Sequence, residues 1–345
     1  MIKNINFKNI LQKTSNNTDL SSKEASYVFK QIMSGKLTDI EIAGFLMSLS
    51  TKGETVLEII ETIKVLKKKS KKINSGKNIL DTCGTGGDGK ETLNISTATA
   101  ILASSCGIRV AKHGNKAVSS KSGSSDVLNE LGVNINANIN VARKSLDKIG
   151  ICFLMAPLYH TAMRNVSNVR SILRVKTIFN LIGPLLNPAN ADMQLIGVYD
   201  KSLLKPIAEC VKHLGIKRAW VVFGENGVDE ITTSGKTFAI EVKKSRLNSF
   251  TINPTKLGIK KVPLSKIKGK DAKYNASQIL NLFKNKNFNS CFKDIVLLNT
   301  AACLVISNKA KDLQTGLSIA NNNISNGKAL EKLNQLIKLS NEKYS

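Results

Sequence analysis

The segment Asp81-Thr82-Cys83-Gly84-Thr85-Gly86-Gly87-Asp88-Gly89 is where residue type and spacing first point to chemistry. Closely spaced glycines let a backbone fold so that several N–H groups converge on an anion, and a helix start strengthens that field. Ile79 to Asp81 reads as a strand before this loop. A Ser/Thr/Ala-rich run from Asn94 to about Cys106 reads as a helix after it. Two nucleotide motifs nearly fit. Gly84-x-Gly86-x-x-Gly89 has the dinucleotide spacing, but the next strand ends at Lys112, where an acid is needed to bind a ribose hydroxyl. Gly84 to Lys90 spells G-x-x-x-x-G-K, but Glu91 stands where a triphosphate loop needs Ser or Thr. The loop alone therefore supports an anion cradle or a ligand-free turn.

A second segment, Lys112 to Ser125, follows the next strand and offers a cation, an amide and several hydroxyls, donors suited to phosphate and sugar oxygens. In a doubly wound sheet, loops at the carboxyl ends of neighbouring strands face one crevice. The helix launched at Asp126 to Leu131 argues against a mere linker. Asp229 and Glu230, in Val228-Asp229-Glu230-Ile231-Thr232-Thr233-Ser234-Gly235, are adjacent carboxylates in a chain with only 25 acids. They read either as Mg²⁺ ligands or as a solvated turn. Arg170 is one of three arginines, with Arg164 and Arg174, and a guanidinium can grip a carboxylate in two places. His113, His160 and His213 share no metal-ligand spacing.

The elements that must position these groups fall into two styles. Residues 1–72 read as helices only. Capping boxes at Ser21-x-x-Glu24 and Thr38-x-x-Glu41 open two of them, and a third runs from Glu54 to Lys69. From Asn78 onward, short apolar runs alternate with helical segments, the signature of a mainly parallel sheet wrapped by helices. The expected strands are Ile79 to Asp81, Ile108 to Lys112, Ile151 to Ala156, Leu195 to Tyr199, Ala219 to Phe223 and Phe238 to Val242. Four of six prolines lie between Pro157 and Pro206, marking a hinge or crossover that returns towards the helical domain. The expected domains are 1–72, joined by helices from about 160–190, and 73–345.

A formal charge of +26 raises nucleic-acid binding. Lys236 to Lys293 holds fourteen Lys or Arg against two acids, but no interleaved aromatic set on which bases could stack. Lysine, asparagine and isoleucine are abundant throughout, so the charge reads as a compositional bias with no specific nucleic-acid partner. The six cysteines form no C-x-x-C pair. With a polar N-terminus and no apolar run of eighteen residues, the expectation is a cytoplasmic protein without a membrane partner.

Taken in order, DTCGTGGDG, NISTATA, KHGNKAVSSKSGSSDVLNELG, VRSILRVKTIFNLIGPLLNPA and VDEITTSG resemble the anthranilate phosphoribosyltransferase family along the whole chain. The resemblance implies a small N-terminal helical domain and a large α/β domain of the nucleoside phosphorylase/phosphoribosyltransferase kind. It also implies Mg²⁺, a homodimer built through the helical domains, and transfer of a phosphoribosyl group from phosphoribosyl diphosphate to anthranilate in tryptophan biosynthesis. Matching positions place phosphoribosyl diphosphate on Gly84, Gly87, Asp88, Thr92, Asn94, Ile95, Ser96, Thr97, Lys112, His113, Gly114, Asn115, Lys116, Ala117, Val118, Ser119, Ser120 and Ser124. They place anthranilate on Gly84, Asn115 and Arg170, and the metal on Ser96, Asp229 and Glu230. Lys116 stands where the family usually has Arg, which keeps the charge but loses the bidentate fork. Thr161, Asn168, Arg174 and Lys176 also depart from the family pattern. The related pyrimidine nucleoside phosphorylases are the rival enzyme reading, disfavoured by KHGN, SSKSGS and the acidic pair.

Overall fold

The computed structural model describes residues 5–74, 76–116 and 122–342. It divides into two compact units, residues 1–71 with 157–186, and residues 72–156 with 187–345.

The first unit is helical: α1 (Phe7–Ser15), α2 (Ser22–Met33), α3 (Asp39–Lys52) and α4 (Val56–Lys69), completed by the returning helices Arg164–Leu173 and Ile178–Leu181. Capping boxes start α2, α3 and α4, from Ser21, Thr38 and Thr55. The helix expected from Glu54, α4, thus begins at Val56, two residues later, because the Thr55 side chain caps its first free N–H groups. Val28, Phe29, Ile32, Phe45, Leu49 and Ile63 are fully buried among these helices. Phe29 stacks edge-on against both Phe45 and Phe179, with ring centres 5.7 and 6.2 Å apart. The returning segment is tied in by Asn165, whose amide donates to the Met33 carbonyl at 3.2 Å, and by the Lys71 N–H, which donates to Tyr159 O at 2.9 Å.

The second unit is built on β1 (Ile79–Asp81), β2 (Arg109–Gly114), β3 (Ile151–Met155), β4 (Met193–Gly197), β5 (Arg218–Gly224), β6 (Thr237–Lys243) and β7 (Arg246–Ile252). The sheet order is β3-β2-β1-β4-β5-β6-β7. β1 to β5 are parallel, whereas β6 pairs antiparallel with both β5 and β7. Short fully buried strands such as β1, β3 and β4 suit a parallel sheet covered on both faces. Its helices are α5 (Ile95–Ser105), α6 (Ser124–Glu130), α7 (Ile139–Ile149), α8 (Leu204–His213), α9 (Ala272–Phe283), α10 (Ser290–Ile306), α11 (Leu313–Ser325) and α12 (Lys328–Ser340). The order reverses at β1, with β2 on one side and β4 on the other. Loops leaving the carboxyl ends of these strands therefore diverge around one crevice, the position where such sheets bind ligands.

β7 is the strand that the sequence does not announce. Its Arg246, Asn248 and Ser249 are exposed, and it forms because Lys244 and Ser245 both take positive φ, 49° and 59°, giving a tight turn back along β6. Among the described residues, no helix is long and apolar enough to cross a membrane.

Candidate active site

The glycine loop leaves β1 and is stapled across the end of β4. The Thr85 N–H donates to Gly197 O at 2.9 Å, and the Gly86 N–H donates to Asp229 Oδ2 at 2.8 Å. Gly86, Gly87 and Gly89 have φ of 64°, 74° and 67°, which side chains seldom tolerate. Gly84 serves close approach instead: a Cβ there would lie 2.7 Å from Asp229 Oδ2. Gly197 is stricter, since a Cβ on it would fall on the Asp229 carbonyl.

This arrangement brings Asp88 to the acidic pair, and Asp88, Asp229 and Glu230 each offer an oxygen within 4.8 Å of the others. Burial raises the Asp229 carboxyl to about 7, with the nearby Asp88 charge adding to it. Burial also lifts Glu230 well above the carboxylate range, helped by the Asp229 and Asp88 charges. Asp88 Oδ2 and Glu230 Oε2 are buried and have no hydrogen-bond partner among the described residues. Three crowded acids with two unsatisfied oxygens, and no nitrogen or sulfur ligand, fit a hard divalent cation such as Mg²⁺.

On the β2 side, Lys112 and His113 are buried. Lys112 Nζ donates to Ser96 Oγ at 3.3 Å, and the His113 N–H donates to Asp81 Oδ1 at 3.2 Å. Asn187, which directly precedes Pro188, donates to Asp81 Oδ2 at 2.7 Å and to Ala111 O at 2.8 Å. Asp81, Cys83 and His113 lie close enough to suggest a second metal cluster. However, both Asp81 oxygens are already engaged, and burial pushes the Cys83 thiol up to about 12, so this group reads as scaffolding.

The start of α5 carries Ile95, Ser96 and Thr97. Its N-cap, Asn94, makes no side-chain cap bond. Instead the Asn94 amide donates to Ser122 O at 3.3 Å and accepts from Asn275 Nδ2 at 2.9 Å, leaving the helix terminus uncapped by a side chain. Thr92 pairs with Lys268 through an isolated bridge. Gly114 has no room for a Cβ beside Ser124 Oγ and Phe153, which lets Ser124 come up against the end of β2. Asn115 O accepts from the Ser124 hydroxyl at 3.4 Å, while the Asn115 and Lys116 side chains are exposed. Ala117, Val118, Ser119 and Ser120 lie outside the described residues.

Arg170 belongs to the helical unit. It sits on helix Arg164–Leu173 with its guanidinium 5.7 Å from the centre of the Phe179 ring, and burial lowers its pKa. The sequence reading passed over Gly197, Asn187 and Asn299. Asn299 left a signal, since it is a single amide inside the apolar run Leu297-Leu298-Asn299-Thr300-Ala301-Ala302, and buried amides must be satisfied.

Residues 8–70 match the glycosyl transferase family, helical bundle domain, and residues 76–330 match the glycosyl transferase family, a/b domain. The chain is 45% identical over 324 residues to the anthranilate phosphoribosyltransferase of Clostridium kluyveri, covering 94% of this chain and 96% of that one. It is also 45% identical to the enzyme of Azospirillum brasilense, covering 97% and 93%. Among solved structures, anthranilate phosphoribosyltransferase from Thermus thermophilus superposes with a TM-score of 0.90 at 34% identity, covering 96% and 99%. The Saccharomyces cerevisiae enzyme in complex with PRPP and Mg also gives 0.90, at 29% identity and 97% of each chain.

Proposed function

The chain belongs to the anthranilate phosphoribosyltransferase family, and we propose that it transfers the phosphoribosyl group of 5-phosphoribosyl 1-diphosphate to the amine of anthranilate. The products are N-(5-phosphoribosyl)anthranilate and diphosphate, a step of tryptophan biosynthesis. The observation that carries this reading is the meeting of a glycine loop, the uncapped start of α5 and three carboxylates at the switch point of a parallel sheet.

Breaking the bond from ribose C1 to diphosphate builds positive charge on the sugar and negative charge on the leaving group, as in glycoside chemistry. The loop N–H groups, the α5 terminus and Lys112 are fixed before the reaction and bind the diphosphate oxygens as that charge develops. Asp88, Asp229 and Glu230 would hold Mg²⁺, which when bound neutralises diphosphate charge. Arg170 takes the anthranilate carboxylate. The aromatic amine attacks as a neutral nucleophile, so bond formation needs no strong general base.

A homodimer formed through the helical unit is part of this proposal, and the unit's surface supports it. Every exposed large hydrophobic residue among those described, Ile40, Met47, Leu57, Ile172 and Val175, belongs to that unit. Light scattering should give about twice the 37.5 kDa chain mass. Six cysteines without a C-x-x-C pair suit a cytoplasmic enzyme.

The test of the reaction is the loss of anthranilate fluorescence on adding enzyme, phosphoribosyl diphosphate and Mg²⁺. Rapid, diphosphate-releasing loss is expected. Unchanged fluorescence at any enzyme concentration removes the proposal.

A further inference from the structure

We propose that Asn299 is a positioning residue for the acidic pair, its side-chain amide clamping both backbone groups of Ile231 so that Asp229 and Glu230 stay gathered with Asp88. This rests on reading those three acids as cation ligands.

Asn299 lies in the middle of α10 and is buried. Its Oδ1 accepts from the Ile231 N–H at 3.1 Å, and its Nδ2 donates to Ile231 O and to Ile295 O, both at 2.8 Å. The Ile295 bond stays within the helix. The other two reach out to one residue, holding its N–H and its C=O together, as a neighbouring strand would. That residue directly follows Glu230.

The clamp falls where regular structure offers no hold. β5 ends at Gly224 and β6 begins at Thr237, so residues 225–236 cross the site outside both strands. Nearby tethers are the Gly224 N–H to Val228 O at 2.8 Å and the Thr232 N–H to Thr237 Oγ1 at 3.0 Å. Gly197 leaves just enough space for the Asp229 carbonyl on the opposite side. Three half-buried carboxylates gathered within 4.8 Å repel one another, and a loosened backbone would let them part. Asn299 is uncharged and touches none of the three carboxylates in its hydrogen bonds, so its influence runs through Ile231.

The neighbouring residue supplies a matched control. Thr300 is equally buried, and its hydroxyl donates to Val296 O at 2.8 Å, inside the same helix. Mn²⁺ binding in the presence of inorganic diphosphate, followed by electron paramagnetic resonance, reads the site without turnover. Asn299→Ala, shown to be folded by circular dichroism, should weaken Mn²⁺ at least tenfold. It should raise the Mg²⁺ activation constant to a similar degree, while KM for anthranilate at saturating Mg²⁺ stays within twofold. Thr300→Ala should bind Mn²⁺ like the wild type despite its lost hydrogen bond. Mn²⁺ affinity within twofold of wild type in Asn299→Ala, or equal weakening in Thr300→Ala, overturns the proposal. Should the alanine variant not fold, Asn299→Gln keeps the amide but displaces it by one methylene, and the same thresholds decide. A wild-type protein that binds no Mn²⁺ under these conditions removes the metal reading itself, an outcome distinct from equal binding by wild type and variant.

Discussion

Glu58 in the helical unit, fully buried, and Glu230 in the α/β unit, half-buried with its Oε2 hidden from solvent, are the same residue type in opposite surroundings. Glu58 is satisfied on every side. It accepts from the Leu20 N–H at 2.9 Å and the Thr55 N–H at 2.8 Å, and pairs with Lys52 at 3.1 Å. Lys52 in turn reaches Asp19 at 2.6 Å. Glu230 faces two other acids and keeps Oε2 without a partner among the described residues. Buried charge that is fully paired fixes helices; buried charge left partly unpaired beside like charge marks where a cation belongs.

The largest expected effect separates these roles. Glu230→Gln should lower kcat by about 100-fold or more, the scale seen when electrostatic stabilisation of a leaving group is removed. It should not lower the melting temperature, because it relieves like-charge repulsion. Glu58→Gln should do the reverse, costing about 3 kcal/mol of stability by uncoupling a buried pair while leaving the turnover of folded molecules unchanged. Chemical denaturation and steady-state kinetics on both variants check this. A Glu230→Gln protein that loses stability but keeps its kcat would dissolve the contrast.

A smaller effect sharpens it. Arg170 is a helical-unit cation packed on Phe179 rather than paired with an acid among its described contacts. Arg170→Ala should raise KM for anthranilate about tenfold, the worth of roughly 1.4 kcal/mol of carboxylate binding, and leave KM for phosphoribosyl diphosphate within twofold. Equal changes in both constants would assign Arg170 to packing alone.

These contrasts also show what sequence can carry. Helix starts were legible at Ser21 and Thr38 because a capping box is local, three residues wide, and its physics is complete within that window. The glycine loop and the pair Asp229-Glu230 were legible for the same reason. What local pattern could not supply was the meeting of Asp88 with that pair, which depends on Thr85 and Gly86 crossing the end of β4. Gly197 and Asn299 were hidden more deeply. One matters for the atom it lacks, and the other for a backbone it reaches across the fold. β7 was missed because its exposed polar residues dilute the strand pattern, and pairing with β6 overrode it.

The smallest effect tests whether the two units respond to acid in opposite senses. In the helical unit, burial depresses His160 from 6.5 to about 4, with the Leu186 backbone bond opposing and the Lys67 charge assisting. Its contribution is present above pH 6.5 and is lost as pH falls through 4, because the unfolded chain takes up the proton first. In the α/β unit, burial raises Asp81 from 3.8 to about 6, against the pull of Lys112 and the Asn187 and His113 hydrogen bonds. Its contribution is present below pH 3.8 and is lost as pH rises through 6. Each difference spans roughly 3 kcal/mol over its full window, at about 1.4 kcal/mol per unit. Measured against wild type, His160→Gln should therefore gain about 2 kcal/mol on moving from pH 7.5 to 4.5, while Asp81→Asn should lose about 2 kcal/mol. Denaturant titrations at the two pH values give both slopes. Slopes of the same sign would mean that burial is not what tunes these groups, and the opposition between the units would fail at its most sensitive point.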